Sequence, residues 1–83
     1  MTEKEWTNKA EKQLLGFKIV KVEYMTEGEC EETGWDNRPL AIMLDNGSWL
    51  IPRRDDEGND GGALTYIDSE GHHDIIPVLQ VGR

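Results

Sequence analysis

A set of arginines, carboxylates and one tryptophan is the first group of residues whose types could recognise a ligand. Arginine binds a carboxylate through two parallel hydrogen bonds, and an aromatic ring beside such a pair supplies an apolar wall. The sequence therefore predicts a recognition patch for a carboxylate or a peptide. The members of this predicted patch are Trp35, Arg38, Arg53, Arg54, Asp55, Asp56 and Glu57. The other interpretation of these residues is a salt-bridge cluster that fastens a loop to a sheet.

The segment 55–62 contains no apolar side chain and is predicted to be a loop. Three of its carboxylates, from Asp55, Asp56 and Asp60, are candidate ligands for weak binding of a divalent cation. An EF-hand is excluded because a loop that begins at either Asp55 or Asp56 lacks a glutamate at its twelfth position. The alternatives are a solvated loop held by turns of its own side chains, or a cation-assisted enzyme or enzyme subunit that uses residues 55–60.

No catalytic residue, cofactor or metal centre is predicted, because the sequence has no activated nucleophile, metal-binding triad or cofactor motif. His72 and His73 are adjacent, so in a strand they point to opposite faces and do not hold one metal together. Cys30 is predicted to be buried against Met25 and Trp35. A thiol in such apolar surroundings is unreactive.

Charge is distributed unevenly along the chain. Residues 1–21 hold all five lysines and three acids, a net charge of +2, whereas residues 22–83 hold fourteen acids and four arginines, a net charge of −10. The strongly acidic segment 22–83 repels the phosphate backbone of nucleic acids, which argues against nucleic-acid binding. No apolar run is long enough to cross a membrane, and a single cysteine is typical of a reducing compartment. We therefore expect a cytoplasmic protein.

Two helices are predicted from their patterns and caps. Residues 3–14 form an amphipathic helix whose apolar residues recur every four positions: Trp6, Ala10 and Leu14. A second, short helix begins after Thr26, which can form a capping box, and ends at Gly34. Both caps of this second helix direct apolar neighbours toward Cys30, so we expect that residue to have a packing role.

A β-hairpin is predicted around Asn46-Gly47, the dipeptide most typical of a two-residue type I′ turn. The flanking strands are residues 40–45 and 48–52. In this register Leu44 lies opposite Trp49, and extension of the ladder places Arg38 opposite Asp55. Both faces of the predicted hairpin are apolar, so the smaller face needs a cover. The residues of that face are Ala41, Met43, Leu50 and Pro52.

The fold class predicted from these elements is mainly β, with a small SH3-like barrel of about five short strands. Other elements are a strand at 17–25, strands at 64–67 and 75–81, and a turn at 68–71. The broken alternation of the strand at 17–25 is explained either by a bulge or by burial on both sides over part of the strand. The barrel domain is expected to span residues 15–83, with the amphipathic helix 1–14 as an addition. That helix is expected to cover the smaller hairpin face of its own chain, or else to leave it free for a two-fold dimer.

Roughly residues 15–64 resemble a family of small bacterial single-domain proteins that have no assigned activity. The segments that carry the resemblance are Gly16 to Met25 with Thr26-Glu27, Gly34-Trp35, Arg38-Pro39-Leu40, Leu44-Asp45-Asn46-Gly47, residues 55–60 and Gly62-Ala63-Leu64. The resemblance implies a bacterial single-domain protein and implies no catalytic residues. We therefore expect a non-catalytic binding module for a protein or peptide, monomeric or weakly dimeric.

Overall fold

This computed structural model describes residues 1–67 and 69–82. These residues contain two helices and seven short strands. The elements in chain order are α1 (Glu3–Leu14), β1 (Ile19–Tyr24), α2 (Glu27–Thr33), β2 (Asn37–Arg38), β3 (Leu40–Leu44), β4 (Trp49–Leu50), β5 (Leu64–Ile67), β6 (His73–Ile76) and β7 (Leu79–Gln80). Of the predicted turn at 68–71, residue 68 lies outside the described residues. Neither helix is long and apolar enough to cross a lipid bilayer.

The prediction of a mainly β fold built on an SH3-like barrel of about five strands is wrong, because the described residues form a mixed fold of two helices and seven strands. The strands of the described residues form three small open antiparallel sheets: β1-β3-β4, β2-β7 and β5-β6. Proline explains why the strands stay short, since it has no N–H to donate to a ladder. Pro39 separates β2 from β3, Pro52 follows β4 closely, and Pro77 separates β6 from β7. The strands therefore end before they can close into a barrel.

Helix α2 has both of the predicted caps. Thr26 Oγ1 accepts a hydrogen bond from the Glu29 amide at 3.1 Å, and Glu29 Oε1 accepts one from the Thr26 amide at 2.9 Å. At the other end Gly34 has a left-handed φ of 77°, and the Trp35 amide donates to the Cys30 carbonyl at 2.8 Å. These bonds form a capping box and a Schellman motif, which fix a helix of only seven residues.

The core of the molecule is small and lies beneath α2. Met25, Cys30, Trp35 and Ala41 form one buried cluster, and Val81 packs against it from the C-terminal end. The prediction that Cys30 is buried with Met25 and Trp35 is confirmed, since Cys30 is 0% exposed. So small a core leaves many apolar side chains of this chain at the surface.

The hairpin is present, but its predicted register is wrong by one residue. Met43, rather than Leu44, lies opposite Trp49, and the Leu44 amide donates to the Ser48 carbonyl at 2.9 Å. Only glycines have positive φ among the described residues, so Gly47 at 84° is left-handed and Asn46 is not. The loop is thus a three-residue connection that ends in a left-handed glycine.

Contact with the start of β1 stabilises this longer loop. The Asp45 amide donates to the Lys18 carbonyl at 2.8 Å, and the Lys18 amide donates back to Asp45 Oδ1 at 3.3 Å. A two-residue turn would pair Asp45 with Ser48 instead of leaving its amide to Lys18. A tertiary contact therefore decides the turn type here, against the preference of the dipeptide.

Candidate functional site

The predicted patch is not one site, because the Arg38 side chain is bonded to residues at the start of α2. Strand β2 pairs with β7, which places Arg38 opposite Leu79, and the predicted pairing of Arg38 with Asp55 is wrong. Arg38 Nε donates to the Met25 carbonyl at 2.8 Å, and Arg38 Nη1 lies 3.9 Å from Glu27 Oε1. Arg38 therefore fastens β2 to the start of α2.

The other two arginines lie at the base of the acidic loop. Arg53 forms an isolated bridge with Gly61, which closes the loop, and its guanidinium lies against Gly58. Arg54 Nε is 4.0 Å from Asp55 Oδ2, and both side chains are exposed. An exposed ion pair at that distance contributes little to stability or recognition. The arginines and carboxylates are therefore arranged as loop attachments.

The carboxylate of Asp55 is occupied within its own loop. Asp55 Oδ2 accepts a hydrogen bond from Asn59 Nδ2 at 2.7 Å, while Oδ1 accepts from the amides of Asn59 at 3.2 Å and Glu57 at 3.1 Å. The hydrogen bonds from the Asn59 side chain and amide are the main causes that lower the pKa of Asp55. The side chains of Asp56 and Glu57 are exposed to solvent.

Asp60 is the buried anchor of the loop. Asp60 Oδ1 accepts from the amides of Gly61 at 2.8 Å, Asn37 at 2.9 Å and Asp36 at 3.1 Å, and Oδ2 accepts from Asn37 Nδ2 at 3.2 Å. Burial raises the pKa of Asp60, but the backbone hydrogen bonds together lower it by more than burial raises it. The pKa of Asp60 is therefore below its ordinary value. The carboxylate stays charged and joins the loop to the segment before β2.

The three candidate cation ligands therefore do not share one open site. Asp60 is buried and has four donors, Asp55 is bonded within the loop, and Asp56 is exposed. The part of the chain that the structure describes contains no group of three or more His, Cys, Asp or Glu side chains placed to hold a metal ion. Trp35 is no aromatic wall either, because it is buried and its Nε1 donates to the Gly58 carbonyl at 2.8 Å.

The sheet β1-β3-β4 carries an uncharged face, which we call the open face. Residues paired across a ladder share a face, and Val22, Ile42 and Leu50 form one row across the three strands. Alternation along each strand adds the remaining members. The open face consists of Ile19, Val22, Tyr24, Leu40, Ile42, Leu44 and Leu50. Leu44 is buried, Tyr24, Leu40 and Ile42 are half-buried, and the other three are exposed.

A β-bulge at Val20 creates this face. The register shifts between Ile19, opposite Leu44, and Lys21, opposite Met43. A bulge was one of the two explanations of the broken alternation in this strand, and the structure confirms it. Without the extra residue, Ile19 and Val22 would point to opposite sides of the sheet. With it they share one side, where Ile19 is 62% and Val22 57% exposed.

A groove of about 460 Å³ extends the open face toward α1. Leu44 and Leu50 line it from the sheet, and Lys12, Gln13 and Leu14 line it from the last turn of the helix. No residue of α1 is buried, and Trp6 is 54% exposed. Helix α1 therefore has the predicted bounds. We expected it to pack on the smaller hairpin face of its own chain, but none of its residues is buried.

The sequence contained one signal for the open face, the broken alternation of residues 17–25, but the role of Asp60 as an anchor was missed. Apart from the neighbouring Gly61 amide, its donors lie 23 and 24 residues earlier in the chain, and no local pattern connects them to Asp60. No family model, curated protein or solved structure matches this chain.

Proposed function

We propose that this chain is a non-catalytic interaction module that binds a protein through the open face. The observation that carries the proposal is the exposed row of Val22 and Leu50 around Ile42, on a face without a charged side chain. Monomeric soluble proteins rarely expose a contiguous apolar surface of this kind without a partner.

The position of the face in the fold also supports a binding role. The opposite side of the same sheet carries Ala41, which is packed in the core, together with the charged side chains of Lys21 and Glu23. On the open face Leu44 is buried, whereas Ile19, Val22 and Leu50 expose apolar surface to solvent. The opposite side also exposes one large apolar side chain, Trp49, beside the charged groups. Loss of apolar exposure is the main favourable contribution to protein association.

The acidic loop gives no comparable support for an enzyme. Its buried carboxylate, Asp60, has its hydrogen bonds inside the chain, and Asp55 accepts three from its own loop. We place the module in the bacterial cytoplasm, on the basis of the family resemblance and of a single cysteine that is buried and reduced.

Photocrosslinking in the native host tests the proposal. A photoreactive side chain at position 22 reports on the open face, and the same side chain at position 75 is the matched control. Val22 and Ile75 are both β-branched strand residues and both are 57% exposed, but they lie in different sheets. We expect light-dependent protein adducts from position 22 and few from position 75. Equal adducts at both positions, or none at position 22, would contradict the proposal.

A further inference from the structure

We infer that the partner of the open face is a second copy of this chain. Helix α1 of each copy lies across the open face of the other, in a two-fold arrangement. This inference rests on the proposed function, because it names the occupant of the same face. It follows from the presence in one chain of two apolar surfaces that are exposed over much of their length and are similar in size.

The first surface is the apolar stripe of α1. Trp6, Ala10 and Leu14 lie on one side of the helix, and Leu15 follows with 73% of its surface exposed. An amphipathic helix of twelve residues gains most of its stability in water from packing on another element. In its own chain, the last turn of α1 borders the sheet across the groove, and no residue of the helix is buried.

The connection after α1 keeps the helix away from its own sheet. Leu15 is extended, and Gly16 has a left-handed φ of 84°. The Cα radius of gyration is 14.3 Å, whereas a compact domain of this length has a radius of about 12 Å. Since no residue of α1 is buried either, much of the surface of the helix is accessible to a second copy.

The dimensions of the helix and the sheet agree. A helix of twelve residues is about 18 Å long, and the six residues of β1 extend about 20 Å. The apolar residues that are at least one-third exposed on the two surfaces are Trp6, Leu14, Leu15, Ile19, Val22 and Leu50. Each offers on the order of 100 Å², so reciprocal packing buries on the order of 500–600 Å² of large apolar side chains per copy, most of the roughly 800 Å² that a stable interface needs.

Charge also favours a second copy at this face. Each chain has a net charge of −8, but α1 holds three lysines and three glutamates and is neutral, and the open face has no charge. Two copies that meet here therefore bring together two surfaces that carry no net charge. The nearby Lys18 and Lys21 moderate the remaining repulsion, which is screened beyond about 8 Å at physiological salt.

Sedimentation velocity of the full chain tests the inference, with variants on both surfaces. We expect the wild type to dimerise, giving a species of about 19 kDa, twice the 9.5 kDa of one chain. Val22→Lys and Trp6→Gln should each weaken the dimer about tenfold or more, since each removes one apolar side chain from the contact. Ile75→Lys is the control and should leave the dimer unchanged. Circular dichroism verifies that all variants fold.

An isotope-filtered nuclear Overhauser experiment tests the exchange of α1. In a mixture of labelled and unlabelled chains, we expect contacts between the Trp6 indole of one copy and the Val22 methyl groups of the other. Overturning results are a wild type that is monomeric at about 100 µM, a dimer disrupted equally by Ile75→Lys, or contacts from α1 within one chain only. If the chain is monomeric but position 22 still crosslinks to another protein, the proposed function stands and this inference fails.

Discussion

The region around Asp60 and the region around α1 differ in which kind of side chain is buried. In the first, a carboxylate is buried, and three of the four hydrogen bonds it accepts come from residues distant in the chain, Asp36 and Asn37. In the second, apolar groups remain outside, on α1 and on the open face. The comparison teaches that buried hydrogen bonds join distant segments of this chain, while much of its apolar surface stays outside the core.

Loss of the Asp60 carboxylate should have the largest effect on stability. Asp60→Ala leaves the amides of Asp36, Asn37 and Gly61 without their acceptor, and we expect a loss of about 2–4 kcal/mol in the free energy of unfolding. Urea denaturation measures this loss. The exposed Asp56→Ala is the control, with a change within about 0.5 kcal/mol. Equal losses for the two variants would show that Asp60 is no anchor.

A methyl group added at Gly61, next to Asp60, should have the next largest effect on stability. A Cβ on Gly61 would lie 2.5 Å from Pro39 Cδ and 2.6 Å from the Asn37 carbonyl oxygen, so Gly61→Ala should destabilise by about 1–3 kcal/mol. Gly28→Ala is the matched control, because that glycine lies in α2 with open space around it. It should stabilise by about 0.5–1 kcal/mol. Thermal unfolding separates the two, and a neutral Gly61→Ala would mean that the loop can move away.

Acid should lower the stability of the fold by protonating the Asp60 carboxylate. Burial raises the pKa of Asp60, but the amide hydrogen bonds outweigh it and the folded pKa lies below its ordinary value. The folded chain therefore binds fewer protons than the unfolded chain, and the free energy of unfolding falls as the pH drops below about 5. Urea denaturation between pH 7 and pH 3 should show a smaller fall for Asp60→Asn than for the wild type. Parallel curves would exclude this carboxylate as a source of the acid sensitivity.

A substitution on the open face should have the smallest effect on the free energy of unfolding. Val22→Lys places a charge where the side chain is already more than half exposed, so in the monomer at low concentration we expect a change within about 0.5 kcal/mol. Chemical denaturation at a fixed low protein concentration measures it. A loss as large as that of Asp60→Ala would show that the open face belongs to the fold and not to association.

Local interactions explain which parts of this fold were predictable. The caps of α2 act within four residues, and both its ends and the bounds of α1 agree with the sequence prediction. The hairpin was located correctly, but the contact between Lys18 and Asp45, 27 residues apart, determines its register. Pairing of β2 with β7 is more distant still, and it replaces the expected barrel.

The candidate site was less predictable than the fold for a related reason. Composition identified arginines and carboxylates, but not that Arg38 faces α2 while Asp60 faces the interior. Residue type indicates what a side chain can bind, whereas its actual partner depends on the path of the chain. The apolar face depends in turn on a single extra residue in β1, whose position the broken alternation only suggested.

That extra residue also affects how far association can proceed. β1 is an edge strand, and a flat apolar edge is a template on which strands of further molecules can add without limit, as in amyloid fibrils. The irregularity at Val20 interrupts the ladder of outward N–H and C=O groups, and Lys21 places a charge immediately beyond it. Growth along the edge is therefore obstructed, so a chain with this much exposed apolar surface can form assemblies of defined size.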